Sequence, residues 1–222
     1  MSLILNIDTA LETAHVALVQ DGRIIAEAQR NEQKDHAAWL HPAINGLLQS
    51  TDINIHQLDA VAVSIGPGSY TGLRVGLSSA KGFCYAMDLP LITVGTLEII
   101  AASVQDKATN LICPLIDARR MEVFTAVYDK NMTELVAPHA LVLESGSFSA
   151  LLNTNSVLFC GNGAEKTAAL VQHPNAVFTA NETVTEAFAR LSQKYLLENR
   201  IADLAYSEPL YIKEFYSPAR KD

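Results

Sequence analysis

Apolar positions recur along this chain at two spacings, every second residue in short runs and every third or fourth in longer ones. Leu3-Ile4-Leu5-Asn6-Ile7-Asp8 is an apolar run ending in a carboxylate and predicts a buried strand. Residues 14–20 and 23–30 predict two more strands, joined at Asp21-Gly22, a pair that tolerates the positive φ of a tight hairpin. From Asp35-His36 to about Gln49, the residues Trp39, Leu40, Ala43, Ile44, Leu47 and Leu48 fall on one broad helical face. Residues 60–65 (AVAVSI) are short and β-branched, predicting a buried strand. They lead into Gly66-Pro67-Gly68-Ser69-Tyr70-Thr71-Gly72-Leu73-Arg74-Val75-Gly76 and a helix to about Ala86, with Ser69 or Thr71 placed to cap it. Leu91–Val94 predicts a strand, and Thr96 a cap for a helix through about Val104.

The pattern then restarts. Residues 111–117 form a second apolar run ending in Ile116-Asp117, residues 121–129 alternate as a strand, and Lys130-Asn131 marks a turn. The step that carries Asp8 onto Asp117 also carries Ala17 onto Ala126, Leu18 onto Val127 and Gly22 onto Asn131, without a gap. Such a register predicts an internal duplication, an α/β protein of two β-rich lobes. A helix near 145–152, a strand at 156–160, a turn at Gly161-Asn162-Gly163 opening another helix, and a long helix over about 185–199 complete the second unit. The polar stretch 105–110 divides a first lobe (1–105) from a second (106–222), whose C-terminal segment is able to return to the first.

Composition narrows the classes. Of 222 residues, 49% are hydrophobic and only 18% charged, enough for a full core, and the formal net charge is −8. That charge excludes a protein that grips nucleic acid mainly by its own surface, so any RNA is held chiefly by another subunit. No run is long enough to span a membrane, and the N-terminus lacks the basic and apolar regions of a signal peptide, so a cytoplasmic location is expected. Cys84, Cys113 and Cys160 are widely spaced in apolar contexts and read as buried free thiols.

The loop after residue 65 supplies the first candidate chemistry. A strand running into a helix N-terminus suits anions. Yet Leu73 stands where a P-loop needs Lys, and Thr71 where the dinucleotide fingerprint needs its third Gly, so a plain strand-to-helix turn is the competing reading. Asp8 and Asp117, one at the end of each repeated strand, either cap turns or face each other across a nucleotide cleft approached by glycine turns from both lobes. The six histidines include no pair at metal-ligand spacing; His36 and His41 diverge around a helix and read as surface or interface residues. Ser69 lacks the Gly-x-Ser-x-Gly order and triad partners of a hydrolase.

Five segments together resemble the bacterial TsaB (YeaZ) family: LNIDT (5–9), DHAAWLHPAI (35–44), GPGSYTGLRVG (66–76), IDARRMEV (116–123) and PLYI (209–212). The likeness is strongest over the first 125 or so residues, and Lys213 replaces the Arg expected after the last motif. It implies the two-lobed actin-like ATPase (ribonuclease H-like) fold, in agreement with the repeat. It also implies two partners: TsaD, which transfers a threonylcarbamoyl group to an adenosine beside the tRNA anticodon, and TsaE, an ATPase. In this picture the chain supports the transfer without catalysing it and meets tRNA only through the complex.

The catalytic relative carries a His-x-x-x-His pair, and aligning Pro90-Leu91 onto its pattern puts Thr96 and Ile100 in the two histidine places. Asp8, Thr9, Gly66, Gly68, Asp117, Gly161 and Gly163 then remain as vestiges of a nucleotide cleft. No cofactor is assigned, and ATP or ADP at a subunit junction is the one left open. Gly72, Gly76 and Ala80 form a seam of small residues that suits a close helix crossing, inside the chain or between subunits. The resemblance implies the second, a homodimer or a TsaD pair through the first lobe, with Leu73, Leu77, Trp39, Ala43 and Leu47 flanking the seam. A small-molecule phosphotransferase using Asp8 or Asp117 with magnesium is the alternative, and a peptidase acting on TsaD a weaker one.

Overall fold

The first apolar run becomes β1 (Leu3–Asp8) in the computed structural model of the chain, which describes residues 1–31, 35–179 and 184–213. Every residue of β1 is buried because it is the central strand of a sheet covered on both faces. β2 (Ala14–Gln20) and β3 (Arg23–Arg30) add antiparallel on one side, and β4 (Ala60–Ser64) and β5 (Leu91–Val94) parallel on the other. The order is β3-β2-β1-β4-β5, and the β2–β3 turn has Asp21 and Gly22 at φ 49 and 78, as the sequence predicts.

Alternation along the strands decides what packs where. Leu5, Ile7, Val61 and Val63 face α1 (His36–Thr51) and α2 (Tyr70–Met87), against Leu40, Ile44, Leu77 and Cys84. Ile4, Ala17, Ala60, Ala62 and Ile92 face the other way, toward α3 (Thr96–Ser103) and α6 (Val184–Leu197).

The second sheet comprises β6 (Leu111–Asp117), β7 (Glu122–Asp129), β8 (Glu134–Val142), β9 (Val157–Cys160) and β10 (Ala176–Phe178). Its order, β8-β7-β6-β9-β10, repeats that of the first sheet strand for strand, with the same directions between neighbours. One face packs on α3 through Leu97, Ile100 and Ala101; the other packs around Leu152 of α4 (Ser149–Leu152) and Ala164 of α5 (Ala164–Ala168). The layers therefore run α1/α2, sheet, α3/α6, sheet, α4/α5. Residues 184–213 lie with the first lobe: α6 packs on its sheet, Ala202 pairs with Leu91, and the Leu210 N–H bonds to the Ile65 carbonyl at 2.7 Å.

Three expectations are corrected. The duplication is present, but not gaplessly: Asp8 pairs with His15, whereas Asp117 pairs with Val123 and not Phe124. The second hairpin connection is one residue shorter, so Ala17 corresponds to Thr125. Thr96 is no cap; Gly95 holds that position and Thr96 is the first helical residue. The helix near 145–152 shrinks to α4 because Phe148, at φ 66, breaks it. β8 and β10 escape the sequence reading; β8 is an edge strand carrying Pro138, and an edge tolerates a missing donor.

Candidate functional site

The carboxylates and glycine turns expected to line a cleft are engaged within the chain. Asp8 is buried, and its Oδ1 accepts from the Ala10 N–H at 3.0 Å and the Ser64 hydroxyl at 2.6 Å, tying β1 to β4. Ser69 caps α2 by accepting from the Gly72 N–H at 3.3 Å, and the Thr9 hydroxyl donates to the Gly72 carbonyl at 2.7 Å. A Cβ on Gly72 would lie 2.0 Å from the Thr9 carbonyl oxygen, and one on Gly76 would lie 2.3 Å from Thr9 Oγ1. Gly68 meets Ala10 in the same way, and Gly66, at φ 113, meets Leu210. At these glycines the chain's own atoms, the Thr9 and Ala10 carbonyls and the Thr9 hydroxyl among them, fill the place a Cβ would take.

In the second lobe Asp117 is half exposed, and Oδ1 accepts from the Lys166 ammonium at 2.6 Å and from the Arg119 N–H at 2.7 Å. Partial burial alone raises its pKa, but Lys166 and the Arg119 N–H outweigh that and hold the carboxyl below the ordinary range. Lys166 also donates to the carbonyls of Arg120 and Glu122, the latter at 2.5 Å. Gly161, at φ 100, presses on β6, where a Cβ would lie 2.1 Å from the Leu115 carbonyl oxygen; Gly163 packs on Val123. Beside this turn Asn162, Glu165, Phe178 and Thr179 line an open cavity of about 480 Å³.

A magnesium nucleotide held between two carboxylates does not fit these residues. Asp8 is committed to Ser64, Asp117 already has a cation, and Leu11 from the β1–β2 turn packs on the α3–β6–β7 cluster of the second lobe. At the two histidine places, the Thr96 hydroxyl accepts from the Gly66 N–H at 3.1 Å and Ile100 is buried in the core. Among the described residues no three His, Cys, Asp or Glu groups are placed to hold a metal.

The small-residue seam turns inward. Gly72, Leu73, Gly76, Leu77, Ala80 and Leu47 are buried, and Trp39 and Ala43 are half-buried against the same core. For the buried residues the expectation of a subunit surface is corrected, since β1 and its following residues occupy the close approach; Trp39 and Ala43 stay partly exposed. His36 is likewise buried, with Nε2 donating to the Glu12 carbonyl at 3.1 Å, whereas His41 stays exposed beside Ser79.

Two clusters were not singled out by sequence reasoning. Arg74 stacks on the Tyr70 ring at 4.0 Å and donates through Nε to the Tyr211 hydroxyl at 2.9 Å, while Lys213 pairs with Glu122 of β7. The PLYI motif thus straps the glycine loop and reaches the second lobe. The second cluster is the β6–β7 turn, where Arg119 and Arg120 both adopt left-handed φ, 66 and 50. Their presence in motifs was visible; their convergence was not, because it depends on the C-terminal segment crossing back.

Two stacked copies of one five-stranded unit make an actin-like, ribonuclease H-like fold. A Pseudomonas aeruginosa protein described as similar to peptidase YEAZ superposes with a TM-score of 0.82 at 24% identity, over 96% of this chain and 100% of that one. A more distant fold neighbour is the activator of the 2-hydroxyisocaproyl-CoA dehydratase from Clostridium difficile, with bound ADPNP. Its TM-score is 0.53 at 10% identity, over 90% of this chain and 96% of that one. A family model described as TsaD: tRNA N6-adenosine threonylcarbamoyltransferase matches residues 23–208. The tRNA threonylcarbamoyladenosine biosynthesis protein TsaB of Bacillus subtilis is 36% identical over 72% of this chain and 70% of its own length. The Escherichia coli TsaB is 35% identical over 58% and 55%. The chain belongs to the TsaB family.

Proposed function

We propose that this chain serves the formation of threonylcarbamoyladenosine in tRNA as a non-catalytic partner of a TsaD-type transferase, with a TsaE-type ATPase joining them. The observation that carries the reading is the fate of the two histidine places: Thr96 fastens the Gly66 N–H and Ile100 fills the core. Neither has a group left for metal or substrate. The engagement of Asp8 by Ser64 and of Asp117 by Lys166 supports the same reading against a phosphotransferase.

A partner that does no chemistry acts by docking, so it needs an exposed face. On the first lobe the outward sides of α1 and α2 offer one: Cβ atoms on Gly46 and Gly82 would meet nothing within 4 Å, and Tyr85 is 84% exposed. Self-association of the isolated chain and pairing with the transferase are both assigned to this face. The test is a reconstituted transfer to tRNA with and without this chain; a transferase whose rate is unchanged by omission overturns the role. Tyr85→Ala should weaken the pairing in sedimentation while leaving the fold intact, and unchanged sedimentation moves the interface elsewhere.

A further inference from the structure

We propose that the Arg119–Arg120 turn is a contact surface for the phosphate backbone of RNA; this rests on the tRNA role proposed above. The chain as a whole is acidic, with a net charge of −8. At this turn the local balance is reversed by the way the charges pair. Asp117, at the end of β6, is neutralised by Lys166. Glu122, at the start of β7, is neutralised by Lys213 from the C-terminal segment. Arg119 and Arg120 stand between these two pairs on the exposed tip of the turn, and their guanidinium groups make no hydrogen bond or ion pair among the described residues. The carboxylates on either side are bonded by lysines, and Arg119 keeps only a through-space attraction to Asp117.

The turn is also held in place before any ligand arrives. The Lys166 ammonium bonds to the carbonyl oxygens of Arg120 and Glu122 as well as to Asp117, and the Ala118 N–H bonds to the Glu122 carbonyl at 3.1 Å. From Lys213 the same surface continues two residues back to Tyr211, and through its hydroxyl to Arg74, which lies on the Tyr70 ring. Tyr70 and Tyr211 pack on each other with centroids 4.9 Å apart and Arg74 lies over Tyr70, so this end of the surface is a closed stack that braces the C-terminal segment beside the turn. Planar guanidinium groups on a fixed turn suit phosphate oxygens, and the tRNA role proposed above makes RNA, not an acidic protein, the occupant.

The test uses the full chain assembled with its transferase and unmodified tRNA transcript as the probe. Arg119→Asn/Arg120→Gly removes both charges while supplying the residues that a left-handed turn accepts most readily, so folding is preserved. Arg119→Lys/Arg120→Lys keeps the charge. The expected result is tRNA affinity reduced about tenfold in the first variant. The dependence of log affinity on log salt should become shallower by roughly 1.5, as expected for two lost phosphate contacts. The lysine variant should keep the parental slope. Parental affinity and slope in the neutral variant would overturn the proposal. So would loss of complex assembly with an unchanged tRNA affinity per assembled complex, which would assign the turn to a protein. A changed slope together with modification that does not need this chain would sink the partner role and leave the RNA contact standing.

Discussion

At the scale of single residues, the account turns on which glycines have neighbours. Gly72→Ala forces a methyl onto the Thr9 carbonyl and should cost about 1–3 kcal/mol. Gly82→Ala, on the open side of the same helix, should stabilise by up to about 1 kcal/mol. Thermal or chemical denaturation of both variants checks the pair; equal effects would contradict the inward seam. The sequence showed that small residues recur along α2, but not which side they faced, because inward and outward packing leave the same spacing in the chain. The thiols were more legible. Burial pushes Cys84 up to about 11 and Cys113 up to about 12, so neither should react with a thiol reagent near neutral pH until the chain unfolds. Asp117 gives a pH signature. Its folded pKa is lowered, so the Lys166 bond adds stability above the ordinary carboxylate range and loses it as pH falls through the folded value. Lys166→Met should lower the Tm near neutral pH and narrow that gap to wild type on acidification, because wild type alone loses the Lys166 bond there.

At the scale of elements, β1 through α3 were readable because each strand had one composition and each turn its own residues. What failed did so for physical reasons. The register between the two hairpins slipped by one, since a four-residue connection replaces a five-residue one and both satisfy alternation equally well. β8 hid behind Pro138 and its place at an edge. The reach of the C-terminal segment was legible only as irregularity, because its strength comes from partners far away in sequence. It binds Ile65 through the Leu210 N–H, while the carbonyls of Ala205 and Ser207 receive the Lys81 ammonium. Leu210→Pro removes that N–H and should destabilise the chain by about 1–3 kcal/mol. Hydrogen exchange at Gly66 and Gly68 should rise with it, and unchanged protection there would show that the strap carries no load.

At the scale of the whole molecule, an actin-like duplication builds five layers, and the carboxylates and glycine turns of its two halves are engaged by the chain's own side chains and backbone. Lys166 supplies a cation to one carboxylate, Ser64 a hydrogen bond to the other, and Thr9 and Leu115 crowd the two glycine turns. None of that was visible in the motifs, which read the same whether a glycine admits a phosphate or a neighbouring strand. In the role proposed above, the chain promotes a reaction it does not perform. The most direct measurement is threonylcarbamoyl transfer to tRNA by a TsaD-type protein and a TsaE-type ATPase, assayed with this chain present, absent, and alone. The account predicts transfer that requires the chain in the mixture and no transfer by the chain alone. Full transfer without it, or transfer by it alone, would contradict the account.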